Sequence, residues 1–163
     1  MLLWFVGLAV VVVWLVFRSP SIDYRMVVVG AVLPLGDLVT GGVWVLHTLV
    51  ASVAALLIVV LLTFRRRLVR RRWLGLPIGM FLHLVLDGMW TRTAAFWWPL
   101  FGWESLGGTA PEVFRGPVLI IVQELAGVIA IIWFARTFRL GEAENRLRLL
   151  RTGQLPRDVA REE

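Results

Sequence analysis

Long apolar runs, each closed by charge, organise this chain. Leu2 to Phe17 is unbroken and stops at Arg18. It is about one bilayer crossing long, at the short end of the ~17–25 residues a spanning helix needs. No basic residue precedes it and no small-x-small cleavage site follows, so it reads as an uncleaved anchor rather than a signal peptide. Val43 to Thr63 predicts a full span, followed by Arg65-Arg66-Arg67 and Arg70-Arg71-Arg72. Trp73 to Trp90 and Pro117 to Phe138 predict two more. Met26 to Leu35 is shorter and carries Gly30 and Pro34, which suits a broken or re-entrant segment whose freed backbone groups are buried in protein. From Arg139 to Glu163 the chain is polar, and Leu140, Leu147 and Leu150 near helical spacing predict a short cytosolic helix. The fold class is all-α: a polytopic transmembrane helix bundle of four to five segments over residues 1–138, with a charged tail over 139–163.

Composition agrees. The 163 residues are 59% hydrophobic and 17% charged, with mean hydropathy +0.81. Those values exclude a soluble globular domain, a disordered chain and a fibrous repeat. Cysteine is absent, which removes disulfides, thiolate metal sites and cysteine nucleophiles. All 17 basic residues are arginine, a usage that points to a GC-rich bacterial genome. If Arg18, Arg25, the RRRLVRRR loop and the tail from Arg136 onward lie in the cytoplasm, fifteen of the 17 arginines are inside. Only Arg92 and Arg115 are then outside, which satisfies the positive-inside rule. This predicts an inner-membrane protein with its N-terminus outside and its C-terminus inside. Trp44, Trp90, Trp97, Trp98 and Trp103 fall at the outer interface, Trp73 at the inner one. The RRRLVRRR run lacks interleaved aromatics and reads as an orientation signal touching anionic lipid, so no nucleic-acid partner is expected.

Five ionisable residues inside or beside the spans carry the candidate chemistry, because such groups need a partner or a task in hydrocarbon. His83 and Asp87, four apart, share one helix face one turn apart. Together they can ligate one metal, or the carboxylate can orient the imidazole; the bland reading is a hydrogen-bonded pair that joins helices. His47 is expected about one turn into the Val43–Thr63 helix, as a ligand or a satisfied core histidine. Asp37 is a further ligand or a turn residue. Under the topology above, all four reach the outer membrane level. Glu124, roughly 10 Å down the last helix, lies at the depth of His83, as ligand, general base, salt-bridge partner or protonated helix-joining acid. Gln123 and Thr91 are supporting candidates. Two histidines with carboxylates suit Zn²⁺ or another first-row dication.

The order Leu33-Pro34-x-x-Asp37, His47-Thr48, Leu82-His83-Leu84-x-x-Asp87, the Thr91 turn and Trp98-Pro99 resembles the YdjM-like inner-membrane metal-dependent hydrolases, also described as LexA-binding. The resemblance covers about Val29 to Phe101. It departs at Leu35, where the family has the first aspartate of its turn, and at Gly42 to Leu46, which lacks the family's first histidine. The resemblance implies a metal held by Asp37, His47, His83 and Asp87, with either Glu124 filling the gap or the chain being a divergent member with weakened or lost metal binding. It also implies a lipid phosphoester substrate, through kinship with zinc-dependent phospholipases. Arg92 would hold the phosphate, or be an interfacial charge that snorkels to water.

Two functions are therefore expected to compete. One is a metal-dependent hydrolase acting on a lipid or amphiphilic substrate at the outer face. The other is a non-catalytic membrane subunit whose His/Asp/Glu network is structural and whose tail docks a protein partner. A transporter is a third, weakened by the lack of a visible repeat.

Overall fold

The computed structural model describes residues 1–108 and 115–156. The tail residues 157–163, part of the expected cytosolic segment, lie outside the described residues. The described residues are all-helical, with no strand among them. The α-helices among the described residues are α1 (Leu2–Phe17), α2 (Tyr24–Val32), α3 (Leu49–Leu62), α4 (Arg67–Trp73), α5 (Gly75–Asp87), α6 (Thr93–Phe96), α7 (Pro117–Thr137) and α8 (Ala143–Thr152).

Helix α7 is long and apolar enough to cross a membrane by itself, and α1 and α3 are shorter apolar helices. The expected span from Val43 is cut short. Its first residues form a separate 3₁₀ turn, Val45–His47, and α3 starts only after Thr48. The reason is local. The Thr48 hydroxyl accepts from the Ala51 N–H and donates to the Val45 carbonyl, capping α3 at that point. The short segment is broken as its proline predicts: α2 ends at Val32 and continues as a 3₁₀ stretch, Leu33–Thr40. Helix α5 stops where Gly88 turns left-handed at φ 75°, a conformation that favours glycine.

Two close crossings hold the bundle together: α2 on α5 and α1 on α7. Each runs through facing glycines. A β-carbon on Gly30 would collide with the Leu76 carbonyl, and one on Gly79 with the Val27 carbonyl. Gly7 and Gly127 meet in the same way between α1 and α7. Small residues let helix backbones approach when apolar surroundings supply no hydrophobic drive. Around these crossings lies a core of Val13, Trp14, Tyr24, Val27, Phe134 and Phe138.

The tail is tied to this core. Leu155 is buried in it, and its N–H donates to the Pro20 carbonyl at 3.0 Å. Asp23 caps α2 and pairs with Arg25 at 2.9 Å. The Arg25 guanidinium reaches on to the Leu150 and Arg151 carbonyls at 2.9 and 3.2 Å, closing the C-terminus of α8.

The surface is inverted relative to a water-soluble protein. Val39, Leu61, Leu62, Leu100, Val118 and Ile129 are exposed, while Asp37, His47, His83 and Asp87 are buried. Gly79→Val and Gly127→Val are expected to cost about 1–3 kcal/mol each through overpacking and to lower the thermal midpoint in detergent. Gly141→Ala, with open space around its α-carbon, should leave the midpoint unchanged.

Candidate metal centre

The site is built from the ends of elements. Asp37 comes from the 3₁₀ stretch after α2, His47 from the turn before α3, and His83 and Asp87 from the last two turns of α5. The Asp37 carboxylate organises the chain around it. Its Oδ2 accepts from the backbone N–H of Trp44 at 3.1 Å and of His47 at 3.2 Å, and from His47 Nδ1 at 3.1 Å. This is why His47 sits in a 3₁₀ turn before the helix, rather than one turn inside it as its sequence position suggests.

His83 is fixed by a different acceptor. Its Nδ1 lies 2.7 Å from the Ala31 carbonyl oxygen. In a 3₁₀ turn that carbonyl would accept from residue 34, but Pro34 has no N–H to give. The close α2–α5 crossing then presents the carbonyl to the imidazole. The ring also stacks on Phe5, with centroids 4.0 Å apart and planes 23° apart. A carbonyl or carboxylate oxygen here accepts, so Nδ1 of both histidines donates and Nε2 faces the other way.

That geometry brings three donors together. The rings of His47 and His83 are 5.3 Å apart at 78°. One ligand atom from each of His47, His83 and Asp87 falls within 4.8 Å of the others, and all three residues are buried. Two tetrahedral donors on zinc are about 3.4 Å apart, so a pair at the 4.8 Å limit would need to draw in by about 1.4 Å. Imidazoles oriented through Nδ1 by a carboxylate or a backbone carbonyl are the usual arrangement behind a ligating Nε2. The donor set therefore fits a first-row dication. These three residues are the one group of its kind among the described residues.

The other candidates take distinct places. Asp37 stands behind His47 and is not one of the three converging donors. Glu124 lies outside the trio: its carboxylate pairs with the Met1 ammonium at 3.0 Å and accepts from the Leu3 N–H at 3.3 Å. Arg92 lines a cavity of about 340 Å³ with Thr91, Thr93 and Ser105. Thr91 is exposed and donates to the Gly88 carbonyl. Gln123 accepts from Arg115 at 3.3 Å.

Arg115 is the residue sequence reasoning missed. It was visible only as one of two arginines left outside by the charge rule. Its guanidinium lies 3.2 Å from Asp87 Oδ1 and donates to the Asp87 carbonyl at 2.6 Å. A cation thus sits directly beside one of the three candidate donors. Phe5 and the Ala31 carbonyl were also missed, since neither has an ionisable side chain.

Comparison with protein-family models, with curated proteins and with solved structures yields no match. Zinc titration of the purified protein in detergent checks the geometry. His83→Ala and Asp87→Asn should each abolish stoichiometric binding. Asp37→Asn should keep the ligands but weaken affinity about 10–100-fold. Wild-type affinity in Asp37→Asn would remove that carboxylate from the support of the site.

Proposed function

We propose that the chain is a small polytopic membrane enzyme, a metal-dependent hydrolase acting on a lipid or amphiphilic phosphoester at the outer membrane face. The observation that carries this reading is the convergence of His47, His83 and Asp87 with both imidazoles pre-oriented through Nδ1. The reaction class is also the one implied by the resemblance to YdjM-like hydrolases.

The membrane setting is supported by the exposed apolar side chains, by α7, and by the arginine distribution. In that setting α1, α3, α5 and α7 cross, and α2 with its 3₁₀ continuation past Pro34, running alongside α5, makes the fifth crossing that the orientation requires. Buried aspartates and histidines are expensive there and are kept where they have work to do. The tail helix α8 offers exposed Leu147 and Leu150 between its arginines to the inner membrane surface or a protein partner.

A zinc ion held by the trio would polarise a phosphoryl oxygen and acidify a water to near neutral pH. The chain's own groups do the rest. His47 and His83 hold their lone pairs inward because Asp37 and the Ala31 carbonyl keep the Nδ1 protons. Arg115, shared between Asp87 and Gln123, supplies a guanidinium that can turn to a phosphate oxygen. Arg92, in the neighbouring cavity, supplies a second. Glu124 acts as general base or added ligand only once its pairing with Met1 is broken. Overall, water adds to phosphorus, the ester P–O bond breaks, and the leaving alkoxide takes up a proton.

The alternative is a non-catalytic subunit with a structural network. Its supporting observation is closure: all three donors are at most 1% exposed and Asp87 is already ion-paired to Arg115. Chelation followed by zinc add-back separates the two. The enzyme should lose hydrolysis of phospholipid or isoprenoid-phosphate substrates in mixed micelles and regain it with zinc. A structural network loses stability and has no such activity to lose. The absence of cysteine makes topology testable too. Trp103→Cys should be labelled by an impermeant thiol reagent from outside intact cells and Arg70→Cys only after lysis; the opposite pattern overturns the orientation.

A further inference from the structure

Helices α1 and α3 scarcely touch one another; α5 lies behind both and forms the floor between them. The gap is a groove of about 380 Å³, almost entirely apolar, walled by side chains such as Val16, Val53, Leu56 and Phe81. Its lining on α3 recurs at Leu49, Ser52, Val53 and Leu56, one face of a helix. Leu49 to Leu56 is about 10 Å of axial rise.

Two features distinguish this groove from an ordinary gap between helices. The first is position. Leu49 follows His47 by two residues and Leu82 precedes His83 by one, so the groove's upper end adjoins the elements that carry both ligand histidines. From there it runs along α3 and back along α5, toward the far ends of the helices. The second is Ser52. Ser52 is among the lining residues and is 4% exposed, and its buried Oγ has no hydrogen-bond partner among the described residues. A buried hydroxyl without an acceptor is costly, and more so in apolar surroundings. It lies one helical turn beyond Thr48, the residue after His47.

We infer that this groove seats one acyl chain of an ester-linked glycerophospholipid whose phosphoester lies at the His47–His83–Asp87 centre, with the ester carbonyl accepting from Ser52 Oγ. The inference rests on the hydrolase reading and narrows its substrate. The two ends are complementary to such a lipid: a cationic end, built from the metal site and Arg115, for the anionic head, and a dry apolar end for the tail. The ester carbonyl of a glycerolipid is a few bonds from its phosphorus, so it falls where the groove begins. An isoprenoid phosphate also has an apolar tail and an anionic head, but no carbonyl for Ser52.

The test is competitive lipid binding, followed by native mass spectrometry in detergent. The probes are phosphatidylglycerol with ester-linked chains and phosphatidylglycerol with ether-linked chains of equal length. Wild type should prefer the ester about three- to tenfold, the yield of one hydrogen bond. Ser52→Ala should lose that preference. Leu56→Trp should fill the groove and lower binding of both lipids at least tenfold. Val53→Trp does the same from the next turn, and both positions are partly exposed, so a larger ring need not enter the core. Equal ester and ether binding in wild type, or wild-type binding in both tryptophan variants, overturns the inference. Zinc content of the same samples reads the parent claim separately. Ester-selective binding without zinc uptake removes the hydrolase and leaves the acyl site supported. Zinc uptake with no ester preference removes the acyl site and leaves the metal centre.

Discussion

The approach of α2 to α5 is the constraint on which the rest depends. At Gly30 and Gly79 the two backbones come close enough that any β-carbon would collide with main chain. That separation brings a main-chain carbonyl of one helix within reach of a side chain of the other. The Ala31 oxygen does so for His83, and Pro34 ensures that its own helix makes no 3₁₀ claim on it. The tautomer of a buried imidazole is thus fixed by two glycines and a proline, none of which has a functional group. A wider crossing would leave the ring to rotate and the donor set without a defined direction.

The second organising fact is that polarity points inward. Each buried ionisable group would be expensive alone, and each is held by another element. Asp37 gathers three N–H groups from the turn that carries His47, and Asp87 receives Arg115 from across the bundle. These contacts cross between segments that share little apolar packing. They therefore fix relative position in a way that non-directional packing of leucine and valine does not. Breaking one partner leaves the other charge stranded, which costs more than the intact pair contributes.

The all-helical class and the limits of α1 and α7 are legible in the chain, because long apolar runs and their arginine stops are strong local signals, whereas α4 lies in the arginine run that reads as a loop. Leu2–Phe17 and the start of α7 at Pro117 were read directly. So was the break after Met26, since proline removes a donor wherever it stands. The His83–Asp87 pair followed from helical spacing alone. What escaped was whatever depends on distance across the fold. His47 was placed inside a helix because nothing local shows that Asp37, ten residues earlier, captures its N–H. Arg115 reads in the sequence only as one of two arginines outside, although it reaches back 28 residues to Asp87. Glu124 was matched to His83 by depth, but depth does not specify which way a helix faces. In the structure its carboxylate turns to the start of α1.

The stacking of Phe5 on His83 bears on how the protein is made. The walls of the centre come from residues 5, 31, 47, 83, 87 and 115, and helix α1, which carries Phe5, is itself held by α7 through Gly7 and Gly127. Phe5, the Ala31 carbonyl and Asp37 all precede the histidines they serve, so the orienting face is synthesised before the rings it receives. Arg115 and α7 come later, so the cation that pairs with Asp87 and the helix that holds α1 follow a histidine pair already made. The order of synthesis thus puts the support of the two rings before them and the closing cation after them.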